Sequence, residues 1–393
     1  MDKAWLSIIG LTEDGLDGLT SASRSALDRA EVIIGGPRHL ALVAAGARGQ
    51  AWPVPFDIAP VLALRGRPVA VLASGDPFWH GAGGALAQAL APGEWRSLPA
   101  ASVFSLAAAH LGWRLEEVGC LGLHAAPIAR LRADLQPGAR LIVTLRDGTA
   151  VPALTEWLRA NGHSATQLWV MENLGGPRAR VRGLRAADPD LRDVGPLVTV
   201  ALQVPCDAPG LPLVPGRPDL LFAHDGQITK SPVRAVTLAA LAPRANELLW
   251  DLGAGSGSIS VEWCLAGGRA IAVEARPDRL ANIEANIAAF GLAGRMCCVQ
   301  AQLPDGLDPL ATPAAIFVGG GFGAVLMDRL AARHSGTRLV VNTVTLETEA
   351  LVTALHQTHG GTLMRMDVAV VEALGAFRGW QAARPVVQWS VVL

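Results

Sequence analysis

A glycine-rich segment at residues 248–262, LLWDLGAGSGSISVE, contains the residue types best suited to hold a ligand. An apolar run ends in Asp251, and Gly253, Gly255 and Gly257 follow at alternate positions before helical spacing begins. This order predicts a strand, a tight turn and a helix, with glycine where the backbone takes positive φ and a ligand comes close. The N-terminus of the helix offers amides and a positive dipole end, which suit a carboxylate or a phosphate. We therefore expect a nucleotide-like ligand at this loop.

The spacing of these glycines separates the candidate ligands. A lysine is missing after Gly257, which rules out the phosphate loop of ATP- and GTP-binding proteins. The third glycine comes one residue earlier than in the dinucleotide fingerprint GxGxxG, which disfavours NAD and FAD. S-adenosylmethionine fits better, because Glu274 ends the next predicted strand and is placed to accept the ribose hydroxyls. A loop that only lets a helix pack close to a strand stays open as an alternative.

The residues after the fourth predicted strand of this half bear on the methyl acceptor. Enzymes that methylate an exocyclic amine of a base usually have an Asn or Asp, two prolines and an aromatic residue there. This chain has Phe317 and Val318 followed by three glycines instead. A glycine-rich wall suits a large flat substrate, and a second tight turn explains it equally well.

The second half predicts the elements that position these residues. Helical SPVRAVTLAALAP precedes the glycine loop, and a helix begins at Pro277 and is ended by Gly291. The strands MCCVQAQ, AIFVGG and RLVVNTV follow, and the last two apolar runs, MRMDVAVVEAL and VVQWSVVL, are predicted to form a hairpin at the sheet edge. A parallel sheet closed in this way is typical of class I methyltransferases.

The first half predicts an α/β layout of a different kind. Five strand-like segments (WLSIIG, EVIIGG, PVAVLASGDP, EVGCLGLH and ARLIVTLRDG) alternate with helical stretches at residues 81–90, 102–111 and 151–161. After them, ATQLWVMENL, RARVRGL and PLVTVALQV favour an antiparallel ribbon. We expect two unlike lobes that meet near residues 99–118, with a cleft between them.

Length and composition predict two domains or more and a cytoplasmic protein. The chain has 393 residues, and the proline-rich segment at residues 204–218 divides it near residue 210. Its net charge of −1 disfavours nucleic acid as a partner. Its apolar runs are shorter than the roughly 20 residues of a membrane helix, and its N-terminus lacks the pattern of a signal peptide, so we expect a cytoplasmic protein away from the membrane.

The cysteines predict neither disulfides nor a metal site. There are five, and none forms a CxxC pair. Cys297 and Cys298 are adjacent in a predicted strand, so their side chains point to opposite faces. We expect reduced thiols and no bound metal.

Motifs in both halves resemble known families. The segments ITKSPVRAVTLAAL, WDLGAGSGSISVEW, AVEARPDRLANIEANIAAFG and IFVGGG are similar to the precorrin C15-methyltransferase and decarboxylase family of cobalamin biosynthesis. In the first half, IIGLTEDGLDGLT, IIGGPRHL, VLASGDPFWHGAG, ASVFSLAAAHLGW and VMENLGG resemble the C5 methylases of the tetrapyrrole methylase class. Fused in this order, they resemble the precorrin-6Y C5,15-methyltransferases (decarboxylating). The loop LTEDG departs from the usual GxGPGD-like sequence, so we expect an altered route for the tetrapyrrole.

The resemblance implies a fold, a domain plan and a reaction. A two-lobed tetrapyrrole methylase domain (class III fold, residues 1–208) precedes a linker (residues 209–217) and a Rossmann-like class I methyltransferase domain (residues 218–393). The implied reaction methylates precorrin-6B at C5 in the first domain and at C15 in the second. Loss of carbon dioxide from the ring C acetate then gives precorrin-8X. We further expect a homo-oligomer formed through the second domain.

The resemblance also assigns S-adenosylmethionine contacts in both halves. In the second half these are the loop residues and positions near them: Thr229, Asp251, Gly253, Ala254, Gly255, Ser256, Gly257, Glu274, Gln302 and Leu303, the last two expected after the fourth strand. In the first half they are Asp76, Phe78, Ser102, Val103 and Met171, with His124 at a matching position.

Catalytic candidates are few, because methyl transfer from a sulfonium chiefly requires alignment. Lys230 is a candidate partner for a substrate carboxylate, and Asn342 and Glu349 are expected at the carboxyl edge of the sheet after the fifth strand. His124 is a candidate for proton transfer. Each of these also has a purely structural explanation that stays open, as do Arg178, Arg180 and Arg182, which alternate along one predicted strand. Two alternative functions remain: an RNA methyltransferase, and an enzyme active only in its second half with the first half holding substrate.

Overall fold

The computed structural model describes residues 4–393, which fold into two compact units. The first unit runs to Pro209 except for Ala129–Ala133, which joins the second unit together with Gly210–Leu393. In the described chain, none of the helices is both long and apolar enough to cross a membrane. Within these same residues, no three His, Cys, Asp or Glu side chains are grouped so that they could hold a metal ion.

The first unit begins with a five-stranded parallel sheet in the order β3-β2-β4-β1-β5. Its strands are β1 (Leu6–Leu11), β2 (Val32–Gly35), β3 (Gly49–Ala51), β4 (Val69–Ser74) and β5 (Trp95–Leu98). Four helices accompany them: α1 (Ser21–Arg29), α2 (Pro37–Leu42), α3 (Ala59–Leu62) and α4 (Gly83–Ala89). The interior strand β1 is buried over its whole length, which explains the largely apolar run LSIIGL. The short strands β3 and β5 are an addition to the sequence prediction.

A second five-stranded sheet completes this unit in the order β6-β7-β10-β8-β9. It contains β6 (Gly119–Gly122), β7 (Arg140–Thr144), β8 (Gln167–Glu172), β9 (Arg180–Arg185) and β10 (Val198–Gln203), with helices α5 (Val103–Leu111) and α6 (Ala150–Ala160). Strand β8 pairs antiparallel with both β9 and β10, so the predicted antiparallel ribbon is confirmed. The helices predicted near residues 81–90, 102–111 and 151–161 are confirmed as α4, α5 and α6.

The second unit has a seven-stranded sheet in the order β13-β12-β11-β14-β15-β19-β16. Its strands are β11 (Leu248–Leu252), β12 (Arg269–Glu274), β13 (Met296–Gln300), β14 (Ala315–Val318), β15 (Arg338–Thr343), β16 (Thr362–Met366) and β19 (Val386–Val392). Its helices are α7 (Ser231–Leu241), α8 (Ser258–Leu265), α9 (Pro277–Ala289), α10 (Ala324–Arg333) and α11 (Leu346–His359). The first five strands are parallel, and β19 runs antiparallel to both β15 and β16.

The predicted terminal hairpin needs a correction. Strands β16 and β19 do pair antiparallel at the sheet edge, but the run MRMDVAVVEAL is two strands and not one. Its second part is β17 (Ala369–Leu374), which pairs with β18 (Phe377–Ala382) in a separate two-stranded ribbon. All six residues of β17 are exposed, so the apolar character of this run reflects a surface ribbon and not a sheet core.

Candidate functional sites

The glycine loop joins β11 to α8 at the carboxyl edge of the second sheet. Gly253 takes a φ of +67°, and a Cβ built on it would lie 2.5 Å from the carbonyl oxygen of Gly320. Glycine is therefore required at this position by both conformation and space. Gly253, Ala254 and Gly255 line a cavity of about 1140 Å³, while Ser256 and Gly257 lie behind its lining.

The amides of this loop are largely used by the protein itself, contrary to the expectation that they await a ligand. The amides of Gly253 and Ala254 donate to the carbonyl oxygen of Val273 at 2.9 and 3.1 Å. The amide of Gly255 donates to Glu274 Oε2 at 2.9 Å. The loop therefore contributes shape and close approach to the cavity more than free donors.

Asp251 lies behind the loop and outside the cavity lining. Its Oδ2 accepts hydrogen bonds from the amide and the hydroxyl of Ser260, at 3.2 and 2.7 Å, in the first turn of α8. The acceptor at this helix N-terminus is thus the protein's own carboxyl group. Burial, opposed by the Ser260 hydrogen bonds and reinforced by the nearby charge of Glu274, raises the pKa of Asp251 to about 7. Within the described chain its Oδ1 has no hydrogen-bond partner.

Glu274 closes β12 and lines the cavity. Besides the Gly255 amide, its carboxylate accepts the amides of Ala275 and Arg276 at 2.9 and 3.0 Å. A carboxylate has about four acceptor positions, so roughly one remains for a ligand hydroxyl. This geometry fixes the orientation of Glu274 before any ligand arrives.

The remaining residues predicted to contact the cofactor in this half also line the cavity. Thr229 lies just before α7, and Gln302 and Leu303 follow β13. Since β13 is the third strand of this unit in chain order, the prediction that these two follow the fourth strand is wrong. The glycine wall after β14, Gly319–Gly321, faces the same cavity.

Of the three catalytic candidates in this half, two line the cavity. Lys230 precedes the first residue of α7, and its Nζ lies 3.5 Å from Asp219 Oδ2. Asn342 lies within β15 and not after it, and its amide is held by two side chains: its Nδ2 donates to Thr237 Oγ1 at 2.8 Å and its Oδ1 accepts from Gln388 Nε2 at 2.9 Å. Glu349 lies on α11 outside the lining, where the neighbouring Thr348 faces the cavity instead.

A buried ion network that the sequence did not indicate supports Thr229 and Lys230. Arg234 on α7 is fully buried; its Nε donates to Glu262 Oε1 on α8 at 2.7 Å, and it also donates to the carbonyl oxygen of Thr229. Glu262 in turn accepts the amides of Gly216 and Arg217, at 2.8 and 3.0 Å. The end of the proline-rich linker is thereby attached to the helix that follows the glycine loop.

The first unit has a cavity of about 500 Å³ lined by residues of both of its sheets. Of the predicted cofactor contacts, Asp76, Ser102, Val103 and Met171 line it, as does His124. Ser102 caps α5 by accepting the Ser105 amide at 3.1 Å, and Asp76 accepts the Phe78 amide at 2.9 Å. Phe78 itself lies outside the lining and packs against Trp95, with ring centroids 5.5 Å apart.

A polar cluster in this cavity was not predicted from the sequence. Arg38 forms an ion pair with Glu13 and donates to Ser74 Oγ at 2.8 Å, while His39 Nε2 lies 2.9 Å from the same oxygen. Burial and the adjacent Arg38 charge lower the pKa of His39 to about 4, so the imidazole is neutral at pH 7. In the sequence, the motif IIGGPRHL at the end of a predicted strand was the feature that could have indicated Arg38 and His39 as site residues.

Arg180 and Arg182 of the predicted arginine run bind a carboxylate of the protein. Both contact Glu172, which is buried at the end of β8, at 2.6 and 2.9 Å, and Glu172 also accepts the Gly195 amide. Burial alone would raise the pKa of Glu172, but these donors outweigh it and hold the pKa at about 2. The pair therefore anchors the loop before β10 and does not await a substrate.

Comparison with known proteins adds the family. Residues 6–189 match the model of the tetrapyrrole (corrin/porphyrin) methylases, and residues 220–393 match that of the precorrin methyltransferase domain. A precorrin-6Y C(5,15)-methyltransferase [decarboxylating] of Sinorhizobium sp is 44% identical over 98% of this chain and 96% of that protein. The chain belongs to the precorrin-6Y C(5,15)-methyltransferase (decarboxylating) family. As a member of that family it is a methyltransferase.

Other relatives carry the same name. A precorrin-6Y C(5,15)-methyltransferase [decarboxylating] of Mycobacterium tuberculosis is 38% identical over 98% of each chain. Among solved structures, the C-terminal domain of precorrin-6Y C5,15-methyltransferase from Rhodobacter capsulatus is 59% identical and covers 47% of this chain and 100% of that domain, with a TM-score of 0.46.

Proposed function

We propose that this precorrin-6Y C(5,15)-methyltransferase family member methylates precorrin-6B at C5 and C15 and removes carbon dioxide from the ring C acetate, giving precorrin-8X. The observation that carries the proposal is one chain with two separate cavities, each lined by most of the residues assigned to a methyl donor. Family membership over nearly the full length supports it.

We assign C5 methylation to residues 1–208, as a class III tetrapyrrole methylase domain, and C15 methylation with decarboxylation to residues 218–393, as a Rossmann-like class I domain. The sheet orders support this division, because among the described residues the second unit alone has a glycine loop on a parallel sheet that ends in antiparallel strands. Residues 209–217 join them.

S-adenosylmethionine fits the second cavity, and when bound it supplies an activated methyl group. Glu274 would accept a ribose hydroxyl, the loop from Gly253 would approach the donor closely, and Gln302 and Leu303 would border the adenine. In the first cavity, Asp76, Ser102, Val103 and Met171 would hold a second molecule. Effective concentration and orientation provide most of the rate gain for such a transfer.

The residues left for the tetrapyrrole are polar groups with fixed geometry. Lys230 would attract a substrate carboxylate, and Asn342 would present a preoriented amide to the ring. In the first unit, His124, with Nδ1 3.4 Å from Thr144 Oγ1, is our candidate for proton transfer. A role for Glu349 stays a prediction, because the neighbouring Thr348 is the α11 residue that faces the cavity.

The test is conversion of precorrin-6B by the purified full chain with S-adenosylmethionine, followed by mass spectrometry. We expect a product that has gained two methyl groups and lost one carbon dioxide. A product with one methyl group and no carbon dioxide loss, at any enzyme concentration, would sink the assignment to the second unit. A product lacking only the C5 methyl group would favour a first unit that merely holds substrate.

We also propose that the chain forms a homo-oligomer through its second unit. The ribbon β17–β18 has a row of exposed apolar side chains on one face and at its tip. Val371 and Trp380, which are paired across the strands, are 52% and 77% exposed, and Leu374 and Phe377 at the tip are 68% and 80% exposed. Exposed patches of this kind are typical of protein interaction sites.

A further inference from the structure

The β17–β18 ribbon has two faces, and one of them forms part of the second cavity. Val368, Val370 and Glu372, at alternate positions, line the cavity. Gln381, the register partner of Val370, also lines it, and the Ala383 amide donates to the Val368 carbonyl oxygen at the base of the ribbon. Side chains at alternate positions of a strand share a face, so this is the inner face of the ribbon.

The cavity has room for more than a methyl donor. At about 1140 Å³ it exceeds the range of roughly 300–1,000 Å³ common for one small-molecule site. Its lining includes the loop residues and Glu274, and also the inner face of the ribbon with Asn342 and Thr348.

One cation of this cavity is left without an acidic partner. Lys230, Arg276 and Arg279 also line the cavity, and each has a carboxylate of the protein within reach: Asp219 at 3.5 Å, Asp278 at 2.5 Å and Asp225 at 3.0 Å. The fourth, Arg384, follows Ala383 at the base of the ribbon. In residues 4–393 no ion pair is found for it.

Neither nearby acid takes this role: Asp367, next to Val368, is paired with Arg365 at 3.2 Å, and Glu372 lies farther along the strand. Glu372 lies four residues along the strand from Val368, which adjoins the base where Arg384 lies. At about 3.3 Å per residue, that separation is roughly 13 Å. Arg384 therefore presents an uncompensated guanidinium beside an apolar wall.

We propose that this inner face is the tetrapyrrole subsite of the second unit: Val368 and Val370 contact the flat ring, and Arg384 binds one of its peripheral carboxylates. A guanidinium can donate two parallel hydrogen bonds to a carboxylate, which fixes the orientation of the ring as well as its position. This inference rests on the proposed function, because it takes the tetrapyrrole as the substrate.

The test compares Arg384→Gln with Arg378→Gln in the full chain. Arg378 is on the same ribbon, paired with Ala373 and outside the cavity lining, so it is the matched control. Release of carbon dioxide from precorrin-6B reports the second unit. Loss of a charge-assisted contact should raise the KM for the tetrapyrrole about tenfold or more in R384Q, with S-adenosylhomocysteine affinity unchanged by calorimetry. R378Q should retain the wild-type KM, and R384K should fall between.

Equal KM values in R384Q and R378Q would overturn the subsite. So would a fall in S-adenosylhomocysteine affinity in R384Q, because the arginine would then act on the cofactor. A wild-type chain that releases no carbon dioxide would instead contradict the proposed function itself, which separates the two failures.

Discussion

Asp251 was predicted to bind the ligand, but it lies outside the cavity lining and instead holds the helix that follows the glycine loop. Its carboxylate binds the first turn of α8 and is sealed from solvent, being 1% exposed. A buried carboxyl group favours its neutral form, and here the pKa is raised to about 7 from an ordinary value of 3.8. Asp251 therefore changes its protonation, and with it the stability of the fold, in a pH range where most carboxylates stay ionised.

We predict that Asp251→Asn changes how stability depends on pH. Between pH 4 and 7 the folded protein retains a proton on Asp251 that the unfolded chain has lost, so rising pH favours unfolding over this range. Asn has no proton to lose. D251N should therefore melt a few degrees above the wild type at pH 8, with the difference shrinking toward pH 4.

Thermal unfolding followed at pH 4, 6 and 8 provides the measurement. Asp278→Asn is a suitable control, because its carboxyl is exposed and paired with Arg276 on the surface. A D251N profile parallel to that of the wild type across this range would contradict the prediction.

At the residue scale, the sequence indicated the site residues that lie in one segment of the chain. It did not indicate the polar clusters whose members come from separate segments. The glycine loop is one segment, and Glu274 is recognisable because it ends the next strand. Glu13 and Arg38 follow β1 and β2, and Ser74 ends β4, so the parallel sheet brings the three together. The pairing of Arg234 with Glu262, 28 residues apart, likewise depends on how two helices pack.

Among the elements, the β17–β18 ribbon is the one that the sequence pattern misrepresented. Alternating and continuous apolar runs predict strands, but they do not say what covers them. Asp367 and Val368 separate β16 from β17, and Gly375 has a φ of +59° in the turn between β17 and β18. Because every residue of β17 is exposed, the ribbon is a surface element, and we infer that its apolar outer face binds a partner.

We predict that the outer face of the ribbon holds copies of the chain together. The double variant Val371→Ser, Trp380→Ser removes two paired apolar side chains, so the oligomer should dissociate or weaken by at least about tenfold. Sedimentation velocity at several concentrations measures this. Val370→Ser, on the inner face, is the matched control and should keep the wild-type assembly. A monomeric wild type would refute the proposed interface.

For the whole molecule, the boundary after Pro209 and the two cavities favour two independent cofactor sites. We predict that calorimetry with S-adenosylhomocysteine finds two sites per chain. Glu274→Gln should weaken one of them about tenfold or more, because the amide nitrogen would face either the Gly255 N–H or the N–H groups of Ala275 and Arg276.

The matched control is Glu349→Gln, which changes a carboxylate outside the cavity lining and should retain both sites. A wild-type stoichiometry of one would favour a first unit that only holds substrate. Weakening of both sites by E274Q would contradict independence.

Most of the fold of the whole molecule followed from local signals. Strand and helix order, the parallel core of each unit and the proline-rich junction are all encoded in short-range patterns. The lining of the cavities was less accessible, because it depends on which strand ends adjoin. Phe78 and Glu349 show this limit of prediction from sequence. Each is next in the chain to a residue that lines a cavity, but lies outside the lining itself.

The attachment of the linker to Glu262 has a consequence for amide hydrogen exchange. A proline-rich segment without helix or strand ordinarily exchanges its amide protons within seconds. Here the amides of Gly216 and Arg217 donate to a carboxylate that is 1% exposed. These two protons should exchange orders of magnitude more slowly than that of Val214, at a rate set by opening of the α7–α8 contact. In Glu262→Gln, one of the two should become fast, marking the linker as the place where the second unit first opens.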